Sequence, residues 1–186
     1  MTIRKILTEP NKFLRKKSLR VENVDKDIQQ LMDDMLETLY AAPGIGLAAI
    51  QVGVAKRVIV MDISRSRNDI GRDKKEDKEP KNPMYFVNPE IVWKSEDKFT
   101  YEEGCLSVPN QFAEIDRPKQ CHVTYLDYNG QPQKLKADGL LSICIQHEID
   151  HLEGILFIDY LSKLKKEMII KKLSKQTKES VERIVV

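Results

Sequence analysis

Apolar residues recur along this chain in two distinct periods. Between residues 26 and 41, Ile28, Leu31, Met32, Met35, Leu36, Leu39 and Tyr40 follow i, i+3, i+4, i+7 spacing, the signature of an amphipathic helix with one buried face. Pro43 and Gly44 stop it. Residues 44–53 hold two closely spaced glycines and predict a loop whose backbone approaches another group closely. Residues 57–63 are rich in β-branched side chains and predict a strand, and residues 84–93 one or two short strands around Asn88-Pro89. Residues 121–128 and 132–137 flank Asn129-Gly130 and predict a β-hairpin. A second helix is predicted over 139–153, with Leu140, Ile143, Cys144, His147 and His151 on one stripe and Gly154 ending it. A last helix starts near Ser162, a suitable N-cap, and runs into a lysine-rich tail. Residues 64–82 are almost wholly polar and read as a long mobile loop. This order predicts an α+β fold, with short antiparallel sheets packed around a central helix and a C-terminal helix.

Length adds that 186 residues suit one domain. Residues 1–164 are expected to form the catalytic body, with the 64–82 loop within it, and 165–186 a basic helical tail of the same domain. A formal charge of +2 gives no support for DNA binding, and no apolar run is long enough to span a bilayer. Residues 1–7 carry Arg4 and Lys5 but no apolar stretch of signal-peptide length. Three cysteines are too few and too odd for a disulfide framework. A cytoplasmic protein is expected.

The candidate chemistry lies in Gln146-His147-Glu148-Ile149-Asp150-His151. Residues four apart on a helix stack one turn above another, so His147 and His151 can grip one metal ion, and Glu148 can reach a water beside it. A catalytic metal site needs a third protein ligand and an open position. No histidine follows the motif. The upstream candidates are Cys105, Cys121, His122 and Cys144. Cys121 and His122 read as sheet residues and Cys144 as a packing residue, so chemistry favours Cys105, whose neighbour Gly104 permits a tight backbone path. Asp150 is either a partner behind the ligands, paired with Arg117, or an exposed helix charge.

Three segments together resemble the signatures of peptide deformylases: Gly44-Ile45-Gly46-Leu47-Ala48-Ala49-Ile50-Gln51, Glu103-Gly104-Cys105-Leu106-Ser107, and the histidine motif. Pro10, Leu14, Arg15 and Asn88-Pro89 also resemble the family, and the likeness runs from about Ile6 to Leu164. The resemblance implies hydrolysis of the N-formyl group on the terminal methionine of nascent peptides, with release of formate. It implies Cys105, His147 and His151 as ligands of one divalent transition metal: Fe2+ in the cell, with Zn2+, Ni2+ or Co2+ able to substitute. It places Gly44, Ile45, Gly46, Glu103, Gly104, Leu140, Ile143 and Cys144 near the substrate. Glu148 is then the general base, and Gln51 and the Leu106 N–H receive the oxyanion. Phe112 stands where many bacterial relatives carry arginine, and the 64–82 segment is longer than in compact relatives. The basic run Lys163, Lys165, Lys166, Lys171, Lys172, Lys175 and Lys178 suggests ribosome contact or merely a solvated face. The histidine motif by itself also fits a zincin-type endopeptidase.

Overall fold

The structure is a computed structural model that describes residues 2–64 and 81–182, with side chains described as far as Lys175. The expected mobile loop at 64–82 therefore lies, apart from its ends, outside the described residues.

Helix α1, Lys26–Ala41, forms where the period predicted it. Asp25 caps it, its carboxylate accepting the N–H of Ile28, and the helix stops immediately before Ala42-Pro43. Strands β1 (Gly46–Ala48), β2 (Val58–Met61), β3 (Met84–Lys94), β6 (Gln120–Leu126) and β7 (Pro132–Asp138) form one antiparallel sheet in the order β1-β2-β3-β6-β7. Strands β4 (Lys98–Cys105) and β5 (Val108–Pro118) form a separate hairpin. Helices α2 (Gly139–Leu152) and α3 (Lys163–Glu182) complete the order.

Strand alternation splits the core. Leu47, Val58, Val60 and Val87 pack toward Leu31, Met32, Met35 and Leu39 of α1. Ala48, Ile59, Met61 and Phe86 point the other way, toward Cys144, Ile145 and Leu152 of α2. The sheet thus lies between the two helices, as period-two side-chain direction requires. Residues 142–148 of α2 are all buried, so this helix is enclosed on every side. A third cluster joins Val108 and Ile115 of the hairpin to Leu156, Phe157 and Ile158 and to Leu173 of α3.

One local expectation is corrected. The glycine-rich segment is not merely a loop: it supplies β1 and a 3-10 turn, Ala49–Val52, because Gly46, Leu47 and Ala48 pair with Met61, Val60 and Ile59. Of the one or two strands expected around Asn88-Pro89, one forms, and the pair sits within β3 at a bulge, Asn88 having φ 51 while its side chain bonds both N–H and C=O of Val21. The hairpin expected around Asn129-Gly130 forms from β6 and β7. The β6–β7 pairing ends at Leu126 and Pro132, and the Asp127 carboxylate accepts the N–H groups of Asn129 and Gln131, organising a longer loop.

Candidate metal centre and its cavity

Two elements bring the donors together. His147 and His151 project from α2 with ring centroids 5.0 Å apart. Cys105 ends β4, where Cys105 pairs with Val108 across a tight turn at Leu106 and Ser107. That turn carries the thiol toward α2, and Cys105 Sγ lies 3.2 Å from His151 Nε2. Ligand atoms of Cys105, His147 and His151 all fall within 4.8 Å of one another, the one such cluster among the described residues. Two donors on a tetrahedral ion bound at about 2.0–2.3 Å stand roughly 3.5 Å apart, so the donor set fits a transition metal in both chemistry and spacing.

Support behind the ligands is continuous. His147 Nδ1 lies 2.8 Å from Glu103 Oε2. Arg117 Nε and Nη2 donate to the two oxygens of Glu103, at 2.5 and 3.1 Å, and Arg117 Nη1 donates to Asp150 Oδ2 at 2.7 Å. The Tyr160 hydroxyl donates to the same Asp150 oxygen at 2.9 Å. The Asp150–Arg117 pairing therefore forms, and Asp150 is no isolated helix charge. Burial pushes the Glu103 carboxyl up, but the His147 and Arg117 contacts outweigh it and hold it below the usual carboxylate range. Burial draws His151 well below the imidazole range, assisted by the positive field of His147. At His147 burial also acts downward, but Cys105 and Glu103 outweigh it, so a proton and a metal ion compete for this imidazole.

Glu148 is 4% exposed, its Oε2 has no hydrogen-bond partner, and burial lifts its carboxyl to about 7. Gly46 of β1 makes room for it. A Cβ at Gly46 would stand 2.5 Å from Glu148 Oε1 and 3.0 Å from Cys144 Sγ. Gln51, in the turn after β1, is fixed at both ends of its amide. Its Oε1 accepts the Ala48 N–H at 2.8 Å, and its Nε2 donates to Ser107 Oγ at 3.0 Å while facing Cys105 Sγ at 3.6 Å.

A cavity of about 560 Å³ opens beside these groups. Among the residues lining it are Gln51, Cys105, Leu106, His147 and Glu148, and every expected substrate contact: Gly44, Ile45, Gly46, Glu103, Gly104, Leu140, Ile143 and Cys144. His151 stands behind, fully buried. Glu103 differs in use from the expectation, since its carboxylate is engaged by His147 and Arg117. Cys121 and His122 lie away on β6, His122 against Trp93 at 4.5 Å between ring centroids. Sequence reasoning missed Ser107, which is fully buried, binds Gln51 and donates its N–H toward Cys105 Sγ at 3.4 Å. Its place two residues after the cysteine was the available signal. It also missed Tyr160, which carried none.

Residues 3–167 match the family described as polypeptide deformylase. A peptide deformylase of Pelagibacter ubique is 66% identical over 175 residues, covering 94% of this chain and 95% of that one. One from Phenylobacterium zucineum is 55% identical over 178 residues, covering 96% and 99%. The crystal structure of peptide deformylase from Ehrlichia chaffeensis in complex with actinonin superposes with a TM-score of 0.84 at 46% identity, covering 95% of this chain and 98% of that one. No helix among the described residues is long and apolar enough to cross a membrane.

Proposed function

This chain belongs to the peptide deformylase family, metal-dependent hydrolases that remove the formyl group from the N-terminal methionine of polypeptides, and on that premise we propose that Cys105, His147 and His151 hold the metal while Glu148, Gln51 and Leu106 carry the proton and charge transfers. The observation that carries this reading is the convergence of one thiol and two imidazoles on one point at the wall of a cavity that Glu148 also lines. When bound, a divalent transition metal supplies Lewis acidity, bringing the pKa of a water toward neutrality and polarising the formyl oxygen.

The chain's own groups do the rest. Glu148 takes one proton from the attacking water as the new C–O bond forms at the formyl carbon. Gln51 Nε2 and the Leu106 N–H donate to the oxygen that gains charge. Ser107 and the Ala48 N–H hold the Gln51 amide in place beforehand, so little reorganisation is needed. Glu148 returns the proton to the α-nitrogen as the C–N bond breaks, leaving formate and a free amine. Gly44, Ile45, Gly46, Gly104, Leu140, Ile143 and Cys144 form the wall that receives the methionyl residue. Actinonin would occupy the same cavity.

A thiolate with two imidazoles suits a soft or borderline ion, and ferrous iron is the proposed cellular metal, with zinc, nickel or cobalt as substitutes. The α3 lysines Lys163, Lys165, Lys171 and Lys172 are exposed, and a basic helix of this kind supports contact with ribosomal RNA where new chains emerge in the cytoplasm. The endopeptidase reading of the histidine motif is not favoured, because the family match spans nearly the whole chain. The test is hydrolysis of a formyl-Met tripeptide beside casein, by protein purified without oxygen. Formate release without casein cleavage is expected; casein cleavage without formate release would overturn the reading.

A further inference from the structure

The 3-10 turn Phe157–Tyr160, between α2 and α3, is held firmly by its own residues. Leu156, Phe157 and Ile158 are buried in the cluster that joins the β4–β5 hairpin to Leu173 of α3. The Asp159 carboxylate accepts the Leu156 N–H and a nitrogen of Arg15. From this one turn two side chains converge on His147. The Phe157 ring lies alongside the imidazole, with 6.3 Å between centroids and 23° between planes. Tyr160 reaches the same imidazole through charged groups. Its hydroxyl donates to Asp150 Oδ2 at 2.9 Å, the oxygen that also accepts Arg117 Nη1. The other arm of that guanidinium holds Glu103, whose carboxylate meets His147 Nδ1. The Tyr160 ring also covers Arg117, whose guanidinium carbon stands 5.0 Å from the ring centroid. Arg117 and Glu103 are each 4% exposed, whereas Tyr160 is 51% exposed. Tyr160 is thus the outermost member of the chain, in contact with both the ion pair and water.

We propose that Tyr160 is a positioning residue for the metal: it closes the outer end of the Asp150–Arg117–Glu103 chain and so fixes the orientation of His147 toward the ion. The inference rests on the reading of His147 as a ligand. A hydroxyl carried on a docked turn constrains Asp150, and through it Arg117, in a way that an exchanging water does not. The ring keeps water off one face of the guanidinium, and charge-assisted bonds are stronger where water is kept away. Losing the hydroxyl loosens Asp150. Losing the ring as well wets the guanidinium and weakens its hold on Glu103.

The test is Co2+ affinity, by competition with a chromophoric chelator, together with the visible cobalt spectrum. Both are measured on the parent, Tyr160→Phe, Tyr160→Leu, Glu103→Gln and the two double variants. Affinity should fall about threefold in Tyr160→Phe and about tenfold in Tyr160→Leu, less than the loss at Glu103 because the effect passes through two more side chains. The visible cobalt bands should shift in Tyr160→Leu, since they report the geometry of the ligands. In the Glu103→Gln background the same Tyr160 substitutions should change affinity by about twofold or less, because the charged link they act through is gone. Parent-like affinity in both Tyr160 variants, unchanged cobalt bands, or equal losses in the two backgrounds overturns this inference alone. A parent that binds no Co2+ overturns the ligand reading and this inference with it.

Discussion

The Glu103 carboxylate stands 2.8 Å from Nδ1 of His147 and is itself held by Nε and Nη2 of Arg117. This fixes which imidazole nitrogen carries hydrogen and leaves Nε2 as the donor. Carboxylates behind metal-bound histidines raise ligand basicity and orient the ring. Glu103→Gln keeps the shape and removes the charge. Metal affinity should fall by about 10- to 100-fold, measured by competition with a chromophoric chelator.

Glu148 occupies a buried position with an unpartnered oxygen at the cavity. Glu148→Ala should retain stoichiometric metal and lose on the order of 10²–10⁴ in kcat. Metal content and formate release measured on the same sample check both halves, and a fully active variant removes Glu148 from the reaction.

Ser107 acts through Gln51. Without its Oγ, the Gln51 amide keeps the Ala48 N–H and the long contact to Cys105 Sγ, and its NH2 end is freer to rotate away from the oxyanion. Ser107→Ala should lower kcat by roughly tenfold to a hundredfold with KM little changed. Ser107→Thr, which restores a hydroxyl, should recover part of the loss.

Gly46 leaves no space for a methyl group beside Glu148 and Cys144. Gly46→Ala should displace the Glu148 carboxylate and lower kcat by about tenfold or more, while metal content stays near that of the parent. Unchanged kcat would show that the carboxylate has room to spare.

Asp159 joins the turn before α3 to the rest of the chain, accepting from Leu156 N–H, Arg15 and Lys166. Burial raises its carboxyl, but these contacts outweigh it and hold it below the ordinary range. A depressed folded-state pKa means the stabilisation is full above the unfolded pKa, about 4, and is lost as pH falls through the folded value. The stability deficit of Asp159→Asn should therefore be largest near neutral pH and shrink below about pH 4, as read from urea midpoints across pH.

How much of this was legible in the sequence depended on how local each feature is. Helix α1 matched its predicted bounds because its apolar spacing, Asp25 cap and Pro43 stop all lie within a few residues. The pairing of His147 with His151 was legible for the same reason. The β4–β5 hairpin was not foreseen. Its turn at Leu106 and Ser107 contains no glycine or asparagine, and Glu102, Gly104, Phe112 and Glu114 share an outward face that hides the alternation. Strand β1 was masked by glycines that read as loop. The structural use of Glu103 could not be read locally, since its partner His147 is 44 residues away. The same holds for Ser107 and Gln51, 56 residues apart.

The central claim is that one thiolate and two imidazoles from separate elements bind a single ion. It is tested most directly by titrating the metal-free protein with Co2+ and recording its absorption, alongside Cys105→Ser. The account predicts one ion per chain, with intense near-ultraviolet sulfur-to-cobalt charge transfer in the parent that is absent from Cys105→Ser. A parent spectrum without that band, or one that Cys105→Ser leaves unchanged, would contradict it.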